Sequence, residues 1–257
     1  MSLRPLPRAF YARECLEVAA DLVGKLLCHG PVVLRITEVE AYRHPGDTAN
    51  HCRFGRTLRN APMWGPPGHA YVYLCYGMHA LLNLVTDRET EGAAVLIRAC
   101  EPVSGHAQIA ERRKGQTGPA SLAGPGKVAA ALGLDVSFSG RSLLDPSGLF
   151  VANQPRAQRL LVGPRVGVDY AEPAHRAAPW RLALADTRWV SQRASLRALD
   201  QELDAFLAGQ RQGSSTTPAR AKRAERTVRP RAVESAQLEH PAAVAGAPVS
   251  RRSTRPS

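Results

Sequence analysis

Residues Val32–Tyr42 read VVLRITEVEAY, and this stretch decides the fold. Val32, Val33, Ile36, Thr37 and Val39 are β-branched, stiff at χ1 and suited to a pleated surface, so the stretch reads as a strand. Side chains alternate along a strand. Glu38, Glu40 and Tyr42 therefore share one face, with Val33, Thr37, Val39 and Ala41 on the other. Downstream, residues 70–76 (AYVYLCY) read as a second strand that places Tyr71, Tyr73 and Cys75 together before Gly77 interrupts it. Further strands are expected over 81–86, over 93–100 (AAVLIRAC, with Arg98 near its end and Glu101–Pro102 as its stop), over 159–169 and over 180–185.

Upstream, Leu16, Ala19, Ala20, Val23 and Leu27 recur at spacings of three and four, which predicts a helix over 15–27 ending near Gly30–Pro31. Residues 105–133 read as helical in two pieces, broken at 115–118 and around 124–126. Residues 43–69 are crowded with Gly, Pro, Arg and His and read as a long loop; a loop of that length is usually functional or disordered. Together these elements predict a mixed α/β (α+β) fold: a single domain over residues 1–208, with a largely antiparallel sheet and surrounding helices.

The chain has 257 residues, 44% of them hydrophobic, and a formal net charge of +12. A surplus of that size favours a polyanionic partner, usually nucleic acid. It is unevenly spread: residues 209–257 hold 10 Lys/Arg against 3 Asp/Glu, which leaves +5 on residues 1–208. That terminal stretch lacks apolar periodicity and reads as a basic, low-complexity, disordered tail. The five cysteines, Cys15, Cys28, Cys52, Cys75 and Cys100, are odd in number and have no metal-knuckle spacing, so they read as reduced, mostly buried thiols. No metal or organic cofactor is expected. The N-terminus lacks the apolar run of a signal peptide, and no stretch approaches about 18 apolar residues, so neither secretion nor a membrane span is expected. The expected location is the cytoplasm, in association with the nucleoid.

The chemistry gathers in residues 35–101, which place a carboxylate, a histidine, four tyrosines and an arginine on or beside apolar strands. Singly each has a plain role: a paired surface Glu, packed Tyr rings, a capping His. Jointly they suit the handling of an extruded purine. Tyr42, His51 and Tyr73 supply ring faces. Glu40 supplies a base for water, and Arg98 a partner for that water or for the carboxylate. Tyr76 beside the flexible Gly77 is a wedge for the vacated stack.

The segments EAY (40–42), His51, TLRN (57–60), PPG (66–68), YVYLCYGM (71–78), Asn83, LIRACEP (96–102), GPGK (124–127) and RVGV (165–168), in that order, resemble the alkyladenine (3-methyladenine) DNA glycosylase family over about residues 5–191. The resemblance implies a monofunctional enzyme of base excision repair. Such an enzyme hydrolyses the N-glycosidic bond of alkylated or deaminated purines in double-stranded DNA, acting as a monomer. It implies Glu40 as general base, with Arg98 and the backbone carbonyl of Val166 helping to hold the water. It implies Tyr42 on one face of the base, and His51 and Tyr73 on the other. Asn83 would screen out guanine, and Tyr76 would enter the duplex with Met78 nearby. Arg56, Arg59 and Lys127 are candidate phosphate contacts. His79, Ala80 and Leu81 depart from the more aromatic rim of the family. The alternatives are a catalytically silent module that binds damaged DNA, or an RNA-binding module. The pairing of Glu40 with Arg98 argues against the silent module, because phosphate binding needs no buried carboxylate; competition between RNA and alkylated duplex at equal salt separates the RNA reading.

Overall fold

The computed structural model describes residues 3–212, all within one compact unit, Met1–Thr217. Nine strands form a mixed α/β fold on an antiparallel sheet: β1 (Leu26–His29), β2 (Val32–Tyr42), β3 (Ala70–Cys75), β4 (His79–Thr86), β5 (Ala93–Ser104), β6 (Leu149–Ala152), β7 (Leu160–Gly163), β8 (Arg181–Leu184) and β9 (Arg197–Ala198). Their order is β3-β4-β5-β2-β8-β7-β9, with β1 pairing β2 and β6. Six α-helices surround the sheet: α1 (Arg8–Tyr11), α2 (Cys15–Leu22), α3 (His106–Arg112), α4 (Pro125–Leu132), α5 (Pro173–Ala177) and α6 (Leu203–Gln212). None of the described helices is long and apolar enough to cross a membrane.

β2 is central, as its sequence requires. β5 flanks it along its length and β8 flanks Glu38–Glu40, so its residues have neighbours on both edges. Ile36, Val39 and Ala41 are fully buried in the main core with Leu82, Leu84, Val95 and Ile97. Each such aliphatic side chain contributes about 1.5–3 kcal/mol on removal from water.

Several expected boundaries move. The helix predicted over 15–27 ends at Leu22, where Val23 turns extended and Gly24 takes φ +92°. Residues Leu26–His29 are instead β1, laddered to β2 on one side and β6 on the other. Leu26, Leu27 and Cys28 suit either period, and two waiting strands decide for the sheet. The tertiary ladder also reveals β6, which the sequence reading left out. β5 runs past the expected stop at Pro102 because β4 flanks it only as far as Leu96. Beyond that point a missing amide on an edge is tolerated. The strand expected over 159–169 shrinks to Leu160–Gly163, and the rest is loop. The boundary placed at 209 falls inside α6, so residues 209–212 are helical; the remainder of the expected tail lies outside the described residues.

The loop over 43–69 is ordered by two buried asparagines. Asn50 Nδ2 donates to the carbonyls of Tyr42, Arg43 and Gly92, and Asn50 Oδ1 accepts from the Cys52 amide. Asn60 Nδ2 donates to the carbonyls of His51 and Gly55, and its Oδ1 accepts from the Thr57 amide and Trp64 Nε1. A single amide side chain thus replaces backbone partners the loop would otherwise lack.

Candidate active site

Cross-strand register places Tyr71, Asn83, Leu96, Glu40 and Arg181 in one row across β3, β4, β5, β2 and β8. Directly opposed residues project from the same face of a sheet. Side chains scattered over a hundred positions therefore meet on one surface.

Glu40 is fully buried in that row. Its Oε1 accepts the Val166 amide at 2.8 Å and lies 3.4 Å from an Arg98 terminal nitrogen; its Oε2 accepts the Tyr42 hydroxyl at 2.9 Å. Arg98 reaches it through a bulge. The ladder jumps from Glu38↔Ala99 to Val39↔Ile97, which leaves Arg98 as the extra residue on β5. A bulge re-aims its side chain, and the freed Arg98 carbonyl accepts the Gly124 amide at 3.0 Å. The guanidinium then lies between Glu40 and Glu38, with Nε 3.3 Å from Glu38 Oε1 and donating to Ser191 Oγ at 3.1 Å. Burial pushes the Glu38 carboxyl above its ordinary range, opposed by the Ser191 amide and by Arg98, the Ser191 hydroxyl and Arg181. The Ser191 amide, the Ser191 hydroxyl and Arg181 donate to it, and Arg98 lies at ion-pair distance.

Above this floor opens a cavity of about 450 Å³, lined among others by Tyr42, His51, Arg59, Tyr71, Tyr73, Tyr76, Asn83, Arg98, Val166 and Tyr170. Its size and ring-rich wall suit one planar heterocycle. The centroids of His51 and Tyr73 are 4.6 Å apart, and Tyr71 stacks on Tyr73 at 5.5 Å. His51 Nδ1 and the Tyr71 hydroxyl are 3.0 Å apart. Burial pushes the Tyr71 phenol up to about 12, so it stays protonated. Burial, with Arg59 and Arg53 nearby, holds His51 down to about 4, so the ring is neutral at pH 7. Burial raises Tyr42 and Tyr73 as well, Tyr42 with help from Glu40.

Two segments close the cavity. The loop bearing His51 is latched to the segment after β7 by a buried bidentate pair, Arg165 to Asp47, and by the Tyr170 hydroxyl, which donates to the Ala49 carbonyl at 2.8 Å. At the rim stands the β3–β4 hairpin tip, where Tyr76 is 89% and Met78 73% exposed. Tyr76 there takes φ +51° and Gly77 φ +69°.

The structure thus brings Glu40, Arg98, Val166, Tyr42, His51, Tyr73 and Asn83 to one place, with Tyr76 and Met78 at its mouth. Val166 meets Glu40 through its amide, whereas the sequence reading had assigned its carbonyl to a water. Asn83 is buried and locked, its Nδ2 donating to the carbonyls of Tyr71 and Leu81. The phosphate candidates divide. Arg56 is exposed; Arg59 stands 5.5 Å over the Tyr73 ring at the cavity wall; Lys127 donates to the Ala120 carbonyl at 2.8 Å. Arg56 and Arg59 are both exposed, and Lys127 is partly so. Sequence reasoning missed Asp47, Arg165, Tyr170, Ser191, Arg181 and the pins Asn50 and Asn60. Arg165 at least stood in the RVGV segment, and Glu38 on the face of Glu40.

The chain is similar to known proteins over most of its length. The family model described as methylpurine-DNA glycosylase matches residues 9–188. A protein of Nitrosococcus oceani that bears the provisional name 3-methyladenine DNA glycosylase is 61% identical over 196 residues, 76% of this chain and 98% of its own. The DNA-3-methyladenine glycosylase of Arabidopsis thaliana is 53% identical over 191 residues, 74% of this chain and 75% of its own.

Proposed function

The chain belongs to the methylpurine-DNA glycosylase family, and from that premise we propose that it is a monofunctional DNA glycosylase that takes alkylated or deaminated purines out of the duplex and hydrolyses their bond to the sugar. The observation that carries the reading is Glu40, wholly buried yet held by Val166, Arg98 and Tyr42, three residues that line the ring-rich cavity.

Each part has a physical task. Tyr42, His51 and Tyr73 stack the extruded base. A purine alkylated at N3 or N7 is cationic, so ring faces favour it over a neutral base. A neutral His51 does not repel it. The guanidinium behind Tyr42, Arg165, is cancelled by Asp47. Tyr76 fills the vacated stack, at a flipping cost of a few kcal/mol that is smaller for a damaged pair. Asn83, unable to rotate, crowds the exocyclic amine of guanine.

In the chemical step a water attacks C1′ and passes its proton to Glu40. The C1′–N bond breaks, and its electron pair leaves with the base. A cationic purine departs neutral and needs no acid. Orientation of the water by fixed groups converts a bimolecular attack into a nearly unimolecular one. Among the described residues the cavity lining includes no lysine, which supports hydrolysis over attack by an amine that would form a Schiff base.

The test is a panel of duplexes carrying 3-methyladenine, 7-methylguanine, hypoxanthine or ethenoadenine, scored for free base under single-turnover conditions with the wild type and Glu40→Gln. The wild type should release at least one base and leave an uncut abasic strand. Glu40→Gln should lose about 10²–10⁴-fold in rate while still binding the duplex. Equal rates would remove Glu40 from the chemistry.

A further inference from the structure

We infer that Glu38 and Ser191 are positioning residues for base release: they grip Arg98 by its Nε edge, so that the far end of the guanidinium is presented to Glu40. This rests on the reading of Glu40 as the base.

Glu38 is a second fully buried carboxylate, two positions from Glu40 on the same strand face, for which the chemistry has no use. Its Oε1 takes Arg181 at 3.0 Å, the Ser191 hydroxyl at 3.0 Å and Arg98 Nε at 3.3 Å; its Oε2 takes the Ser191 amide at 2.6 Å. The Ser191 hydroxyl also accepts from Arg98 Nε. A hydroxyl has one proton and two lone pairs, so it serves both neighbours at once. The family model's match, residues 9–188, includes Glu38 and ends three positions before Ser191.

Arg98 needs such a grip. It leaves β5 at a bulge, where the ladder no longer dictates its direction. A guanidinium is planar and rigid. Fixing Nε against Glu38 and Ser191 therefore fixes the terminal nitrogen that faces Glu40. Without that hold, the side chain can pivot between the two glutamates, and misplacement by about 1 Å is enough to cost rate.

Charge supplies a second readout. Facing Glu40 are Tyr42 on its own strand, Arg98 from β5, Tyr73 from β3, and the Val166 amide, Arg165 and Tyr170 from the segment after β7. Glu38 takes up part of the Arg98 charge and pairs with Arg181. If Glu38 becomes neutral, both guanidiniums act on Glu40 less opposed. Glu40 then holds its proton less tightly, and the acid limb of the rate profile moves to lower pH.

The experiment follows single-turnover base release from methylated duplex, between pH 4.5 and 8, for full-length wild type, Ser191→Ala, Ser191→Thr, Glu38→Gln and Glu40→Gln. Ser191→Ala should release base about tenfold more slowly, with duplex affinity within about twofold. Ser191→Thr, which keeps the hydroxyl, should recover most of the rate. Glu38→Gln should move the acid limb down by about half a unit or more. If it does not fold, the Ala and Thr pair still decides. Wild-type rates in Ser191→Ala, or an equal loss in Ser191→Thr, overturn the inference. So does an acid limb that stays put in a folded Glu38→Gln. An active Glu40→Gln instead brings down the underlying reading of the base. An inactive Glu40→Gln beside unimpaired Ser191→Ala brings down this inference alone.

Discussion

The guanidinium carbon of Arg165 lies 4.7 Å from the centre of the Tyr42 ring, and Asp47 closes its charge with two hydrogen bonds in a site with no solvent access. Tyr42 is thereby braced from behind without an uncancelled positive charge opposing a cationic base. Asp47→Ala would leave that guanidinium buried without its carboxylate, with only the Ala41 and His175 carbonyls to accept from it. We expect a loss of about 3–5 kcal/mol in urea unfolding, because the desolvated charge loses its bidentate counter-charge. A change below about 1 kcal/mol would show that the pair does not hold the fold.

Asn60 uses all its hydrogen-bonding capacity inside the loop that carries His51. Asn60→Ala strands the Thr57 amide and the His51 carbonyl. The expected cost is about 2–3 kcal/mol, together with faster escape of a flipped base because the His51 wall loosens. Urea unfolding and the dissociation rate from a lesion-bearing duplex check the two parts separately. Unchanged dissociation would mean that the loop keeps its shape without this pin.

Tyr76 makes almost no intramolecular burial, being 89% exposed. Alanine in its place keeps the same positive φ, so stability should stay within about 0.5 kcal/mol. Capture of a fluorescent base analogue should instead slow by about tenfold, since nothing fills the gap left in the stack. Stopped-flow fluorescence checks this, and an unaltered flipping trace removes the wedge role.

His51 is held down to about 4 by burial and by Arg59 and Arg53, against about 6.5 in an unfolded chain. Above about pH 6.5 the ring is neutral in both states. Between the two values the unfolded chain binds the proton and the folded chain does not, so stability falls as pH drops through that window. His51→Gln removes this contribution. Its unfolding free energy should therefore fall less than that of the wild type between pH 7 and pH 5. Equal losses would mean that the folded ring takes up its proton as readily as the unfolded one.

The strand at Val32–Tyr42 was readable because its β-branched residues and alternation are local properties, and the same holds for Ala70–Cys75. Glu40, Tyr42, Tyr73 and Asn83 were readable as motif members on strands, whereas His51 and Val166 lie in loops and Arg98 at a bulge. β1 was not readable: LLCH is apolar at both the helical and the strand period, and only β2 and β6 lying alongside choose between them.

By itself the sequence determined which residues face together along each strand, because alternation follows from backbone geometry within a few residues. Tertiary structure alone decided who meets whom between strands. The Arg98 bulge is a property of two strands in register. Asp47 finds Arg165, and Glu38 finds Ser191, across 118 and 153 positions of chain. Local preference carries no information at that range. Buried charges must find partners wherever packing brings them, and that requirement is met only once the sheet has closed.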